Sequence, residues 1–253
     1  MTVMRRFLGG LLGAALGVGL MFTGLAHAAE PLTDAQKEAV KTLVREVLRD
    51  NPELVYEALQ ALEAKQQAEQ TERSQKMIAA SRASLERDPA DPVLGNPQGD
   101  VTIVEFFDYR CPYCKQAAET VTKVVKADGK VRLVLKEYPI LGPQSVQAAL
   151  AALAAQRQGK YAEMHDALMA QRGPLDDKVL EKIAGEVKLD LVRWKADLER
   201  PELKQRLQAV LLQGREIGAT GTPAFIIGDK MIPGAVDAEA LKAAIAEARA
   251  KKS

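Results

Sequence analysis

Two cysteines stand in this chain of 253 residues, Cys111 and Cys114, spaced as Cys-x-x-Cys within the stretch Phe106-Phe107-Asp108-Tyr109-Arg110-Cys111-Pro112-Tyr113-Cys114-Lys115. Thiols that close can exchange disulfides or share a soft metal ion. The run before them, 101–107, is β-branched and aromatic, as strands are, and after them Ala117, Ala118, Val121, Val124 and Val125 recur at helical spacing. The pair therefore sits where a strand feeds a helix. Cys111 falls at the N-cap, Pro112 at the first helical position, where proline is favoured, and Cys114 one turn on along the same face. Unpaired backbone N–H groups and the positive end of a helix dipole stabilise a thiolate at such a place. Cysteines in these settings, beside cations such as Arg110 and Lys115, have pKa values of roughly 3.5–7.5. The pattern makes Cys111 the nucleophile and Cys114 the resolving thiol.

Metal binding is the competing chemistry, and a ligand count weighs against its commonest form. A structural zinc needs four ligands, and after loss of the leader described below the chain offers a single histidine, His165, far off in sequence. Cys111 and Cys114 alone could still hold copper(I), which keeps a copper-binding or delivery protein as an alternative of another class. A lone Cys-x-x-Cys beside a strand-to-helix pattern reads first as redox. No other metal is expected, and no cofactor beyond the redox-active Cys111–Cys114 pair.

The elements that must position this pair begin with the chain's start. Arg5-Arg6, an apolar run to Leu25 broken by glycines, and Ala26-His27-Ala28 read as a cleaved signal peptide, residues 1–28. Export would place the dithiol where disulfides form and persist, a bacterial periplasm if the source is bacterial. With Arg5 and Arg6 gone, 33 basic residues face 34 acidic ones and no basic block stands out, so nucleic acid is not an expected partner.

Thr33-Asp34-Ala35-Gln36 reads as a capping box, followed by a helix with Val40, Leu43, Val44, Val47 and Leu48 on one face. Asn51-Pro52 opens a second helix carrying Leu54, Val55, Ala58, Leu59 and Leu62. The apolar stripe then stops while helix-forming residues continue. Two such helices must dock, either on copies of the chain or on the catalytic domain, and the polar stretch and the breaker Asp88-Pro89-Ala90-Asp91-Pro92 favour copies. Residues 29–62 are therefore expected to be an oligomerisation segment, 63–92 a helical linker, and 93–253 the catalytic domain. Within the last, strand 101–107, the helix from Cys111 and strand 130–138 make a βαβ unit. A helical block fills about 143–217, and strand 223–228, strand 231–232 and a final helix make a ββα unit. That order is the thioredoxin arrangement with a helical insertion.

These residues carry a family resemblance. Glu105-Phe106-Phe107-Asp108-Tyr109, Cys111-Pro112-Tyr113-Cys114-Lys115, Gly221-Thr222-Pro223-Ala224-Phe225 and Asp50-Asn51-Pro52-Glu53 together resemble the DsbA-type thiol-disulfide oxidoreductases, and within them the suppressor-of-copper-sensitivity C (ScsC) group. The resemblance implies an α/β protein with a DsbA-like thioredoxin fold, a helical insertion and a preceding helical oligomerisation stalk. It also implies a periplasmic location and relatives in which N-terminal helices assemble three chains. By position, Pro112-Tyr113 would tune the redox potential, and Glu105 would be a buried acid passing protons to and from Cys114, the alternative being an exposed strand residue. Lys136 could face Glu105. Thr222-Pro223 would be the cis-proline loop whose backbone pairs with a bound peptide. Tyr113 stands where the strong oxidases carry histidine, and the stalk is absent from those monomers. Both departures favour a disulfide isomerase or reductase connected with copper tolerance, with a dithiol oxidase as the alternative. The implied partners are misfolded or oxidised clients, a membrane-bound electron donor, and further copies of the chain in a homo-oligomer, a trimer by analogy. His165 reads as a structural or surface histidine and Trp194 as packing.

Overall fold

The computed structural model describes residues 31–251, so the expected signal peptide lies outside the described residues. The described residues divide into two units, the first ending at Leu59 and the second beginning at Gln60. In the first, α1 (Asp34–Asp50) opens on the capping box: Gln36 N donates to Thr33 Oγ1, and Thr33 N donates back to the Gln36 side chain. α2 starts at Glu53 and runs to Ala80. Their apolar stripe, including Val40, Leu43, Val44, Val47, Leu48, Leu54, Val55, Leu59 and Leu62, is exposed throughout.

The second unit is built on a five-stranded sheet in the order β1-β3-β2-β4-β5, with β1 (Val93–Gly95), β2 (Val101–Phe107), β3 (Val131–Glu137), β4 (Ala224–Ile227) and β5 (Lys230–Pro233). Only β2 and β3 run parallel, and α4 (Pro112–Asp128) is the crossover such a pair requires. Both strands are buried along their whole length, which is why their sequences are near-continuous apolar runs. α4 stops at Gly129, whose φ of 70° is the left-handed cap glycine favours.

Alternation along β2 divides the core between the two faces of the sheet. Val101, Ile103 and Phe107 pack with α4, α10 (Ala238–Ala250) and the helical insertion. Val104 and Phe106 pack with Val210 and Ile217 at α9 (Pro201–Glu216). The remaining insertion helices are α5 (Pro143–Gln156), α6 (Tyr161–Ala170), α7 (Asp177–Glu186) and α8 (Leu191–Leu198). Trp194 is buried there, its indole N–H donating to Ala151 O at 3.0 Å.

Two expectations need correction. The stretch expected as a helical linker, 63–92, is packed on the sheet in its second half. Ile78 on α2 and Leu85 on α3 (Arg82–Glu86) are both buried in the same cluster as Val104 and Phe106, and Ser74 Oγ donates to Ile217 O at 2.7 Å. Isolated apolar residues seven positions apart give no continuous stripe, and the break at Ser81 puts them on two separate helices that reach the same cluster. Lys136 does not face Glu105 either. Glu105 pairs across the sheet with Leu135, which sends Lys136 to the opposite face, where it is buried against Asp91 and donates to Ser84 O.

Gly214 on α9 makes a close approach to the sheet. A Cβ there would lie 2.5 Å from Tyr138, a buried ring whose hydroxyl donates to Ala219 O at 2.9 Å and which makes a T-shaped contact with Phe106 at 5.5 Å. Alanine would gain about 1 kcal/mol of helix propensity. Overpacking a held ring costs about 1–3 kcal/mol, so Gly214→Ala is expected to lower the urea midpoint despite the better helix former.

Candidate active site

The N-terminus of α4 places the thiols. Cys111 is its N-cap with extended φ/ψ, and Pro112 occupies the first turn. The turn into the helix is set by Asp108, which is buried and fully used by backbone. Its Oδ1 accepts from Arg110 N at 2.8 Å, its Oδ2 from Ile140 N and Leu141 N at 2.9 and 3.0 Å, and its carbonyl from Cys111 N at 3.0 Å. Sequence reasoning quoted Asp108 without giving it a role; its readiness to bond an amide two residues on was the available signal.

Both cysteines are free thiols. Cys111 keeps 4% of its surface exposed and donates to Thr222 O at 3.1 Å; Cys114 keeps none, and its sulfur accepts from Asp108 N at 3.5 Å. Burial pushes the Cys114 thiol well up, with the nearby charges of Cys111 and Glu105 acting in the same direction. Tyr113, between them, is 63% exposed.

Antiparallel pairing of β4 with β2, Ala224 opposite Phe106, brings the Thr222-Pro223 segment beside Cys111. The Thr222–Pro223 peptide bond is cis. Pro223 O accepts from Gly234 N at 2.7 Å, fixing the loop from its far side.

Glu105 lies in the middle of β2, opposite Leu135 and Phe225 in the neighbouring strands. It is buried, its Oε1 has no hydrogen-bond partner, and burial alone raises its pKa to about 8. A carboxyl in that state is a proton donor near neutral pH.

Behind the Cys111 loop stands a polar cluster that sequence reasoning missed. Tyr109 and Tyr161 both donate to Glu137 Oε1, at 3.0 and 2.6 Å, and the Tyr109 hydroxyl also lies 3.1 Å from His165 Nδ1. All four residues are buried. Desolvation raises Glu137 to about 8 against the two tyrosine hydrogen bonds, which act the other way, and desolvation lowers His165 to about 4. His165 is thus a core residue rather than a surface one, with Phe107 edge-on to its ring at 5.1 Å and Tyr161 stacked at 5.8 Å. Cys111 and Cys114 have no such partners for a metal: among the described residues no three His, Cys, Asp or Glu side chains converge on a site that could hold one.

Comparison with known proteins agrees with this geometry. A DSBA-like thioredoxin domain is matched over residues 102–246, more than half of the chain. The chain belongs to the DSBA-like thioredoxin family. Residues 36–69 separately match the copper resistance protein ScsC N-terminal domain. Among solved structures similar to this DSBA-like chain is a thioredoxin-like oxidoreductase from Silicibacter pomeroyi, 46% identical with a TM-score of 0.65, covering 68% of this chain and 98% of that one. A linker-deletion mutant of Proteus mirabilis ScsC is 29% identical with a TM-score of 0.66, covering 88% of this chain and all of that one. The Na(+)/H(+) antiporter NhaA 1 of Salinispora arenicola is 36% identical over 171 residues, 63% of this chain. The chain spans only 26% of that antiporter's length. No described helix is long and apolar enough to cross a membrane.

Proposed function

We propose that this DSBA-like protein is a periplasmic thiol-disulfide oxidoreductase that reshuffles and reduces wrong disulfides in client proteins. The observation that carries this reading is the Cys111 sulfur, at a helix N-cap and 3.1 Å from the Thr222 carbonyl beside Pro223, with Cys114 buried one turn behind. Cys111, as thiolate, attacks a client S–S bond; that bond breaks, a mixed disulfide forms, and the departing client sulfur takes up a proton. A second client thiol can then displace Cys111, which isomerises the client with no net change in electrons. Otherwise Cys114 gives up its proton and attacks Cys111, releasing a reduced client and leaving a Cys111–Cys114 disulfide. Glu105, in its ionised form, is suited to take that proton. The client has gained two electrons, so a membrane-bound dithiol donor must return two to the enzyme. Thr222 and Pro223 supply the edge along which a client strand lies, and Pro112-Tyr113 set the potential.

The exposed apolar stripe of α1 and the start of α2 supports assembly into a homo-oligomer, which would gather several Cys111 thiols around one client. A part in copper tolerance fits disulfide repair better than copper storage, because residues 36–69, the segment that matches the copper resistance domain, contain no Cys, His or Met. The direction of electron flow is tested by recovery of activity from a scrambled multi-disulfide substrate. The protein is expected to restore it, and a Leu43→Glu/Val47→Glu variant to do so several-fold more slowly while still reducing a simple disulfide. Rapid oxidation of a reduced substrate with no reshuffling, and a potential near about −120 mV rather than lower, would make it a dithiol oxidase instead.

A further inference from the structure

On the insertion side of Pro112, away from the Thr222-Pro223 loop, lies a cleft of about 590 Å³ whose wall includes Tyr109, Arg110, Pro112, Lys115, Glu119 and Arg172. Its three cations are anchored without being neutralised. Lys115 Nζ donates to Leu168 O and Gln171 O at 3.0 and 2.5 Å, Arg172 to Met169 O at 3.1 Å, and Arg110 to Leu141 O at 2.9 Å. All of these acceptors are backbone carbonyls, and among the described residues none of the three cations has a carboxylate in an ion pair. Glu119, the acid on the wall, is already bound to Lys123. Asp108 acts on Lys115 at longer range, but its oxygens are committed to backbone amides. Lys115 and Arg172 are close enough that, after burial, the Arg172 charge is the chief influence lowering the Lys115 pKa. Two like charges held together by carbonyls, with a third at the rim, form an arrangement that an anion would stabilise.

We propose that this cleft is a carboxylate-binding subsite for the disulfide substrate, receiving an acidic side chain next to the reacting cysteine of a client polypeptide. Pro112 on its wall is bonded to Cys111, so a carboxylate held there belongs to the same substrate whose sulfur meets Cys111. The inference rests on the thiol-exchange reading above and adds a substrate preference to it. The carboxylates of a small disulfide such as oxidised glutathione have the same chemistry and are the other source.

The test uses the reduced full-length protein and peptide disulfides that differ only in Glu, Gln or Lys beside the cysteine, with oxidised glutathione as a parallel substrate. Second-order exchange rates are read at low salt and at about 0.5 M salt, where charges are screened beyond a few ångströms. The Glu peptide is expected to react roughly tenfold faster than the Lys peptide, a difference of about 1.4 kcal/mol, and the ratio is expected to shrink toward one in high salt. Arg172→Glu is expected to invert the Glu-to-Lys ratio and Arg172→Lys to retain it. Equal rates for the three peptides, or a ratio that Arg172→Glu leaves in place, overturns the subsite. A loss confined to glutathione in Arg172→Glu overturns the client assignment in favour of the small thiol. Failure to exchange with any disulfide is a different result, and it removes the oxidoreductase reading together with this one.

Discussion

Cys111→Ser is expected to abolish disulfide exchange with every substrate, while Cys114→Ser is expected to accumulate a stable mixed disulfide. The asymmetry follows from where the two sulfurs sit. Cys111 has the N-cap position and the remaining exposure, and its sulfur already points at the Thr222 carbonyl where a client backbone would lie. Cys114 is sealed below, and burial holds it as a neutral thiol. It can act only on a sulfur already attached to Cys111. A serine hydroxyl at 111 forms no mixed disulfide, so the rate should drop by several orders of magnitude to that of uncatalysed exchange. A serine at 114 leaves the first attack intact and removes the intramolecular release. Trapping with a client of known sequence, resolved on a non-reducing gel and by mass, checks both. Mixed disulfides forming through Cys114 in the Cys111→Ser protein would reverse the assignment of roles.

Much of this site was legible because its signals are local. Cys111, Pro112 and Cys114 lie within four residues of one another, and the strand before and the helix after them show their periods in a single window. The cis Thr222–Pro223 bond is different: it was expected on the strength of the resemblance, since base rates for X-Pro bonds point to trans. What escaped were relations across long stretches of chain. Glu137, Tyr109, Tyr161 and His165 come from β3, the active-site turn and α6, and only the tertiary fold reveals that one carboxyl serves two tyrosines. Glu137 read as one more residue of a good strand. Setting Lys136 against Glu105 needs an exact strand alignment, and a shift of one residue in register changes the face of the sheet. The docking of Ile78 and Leu85 was hidden for a related reason: single apolar residues on two separate, otherwise polar helices carry no periodic signal, though each joins the cluster that holds Val104 and Phe106 of β2.

Glu105 gives the second large effect, on stability as well as on exchange. Its ordinary pKa of 4.5 is raised to about 8 in the fold, with burial as the whole cause and no hydrogen bond returned to Oε1. A carboxyl raised in this way favours the folded state fully below about pH 4.5, and that contribution is lost as the pH climbs through about 8, because the unfolded chain ionises first. At about 1.36 kcal/mol per unit, the penalty at pH 7 is roughly 3 kcal/mol. Glu137 titrates over the same range with the same sign, whereas His165, lowered to about 4, contributes stability above its ordinary 6.5 and loses it as pH falls. Between pH 6.5 and 8 the two carboxyls therefore act together, and the free energy of unfolding should fall about twice as steeply with pH as one such carboxyl alone would make it. Glu105→Leu, placed opposite Leu135 and Phe225, is expected to raise stability by roughly 3 kcal/mol at pH 7 and to halve that slope. The same substitution should slow the release of the mixed disulfide by Cys114 severalfold while leaving the first attack by Cys111 little changed, since the proton at issue belongs to Cys114. Urea midpoints at pH 6.5, 7.2 and 8, with stopped-flow release of a trapped peptide, separate the two consequences. An unchanged slope would show that Glu105 is already ionised in the fold, through contacts that leave it no proton to exchange with Cys114.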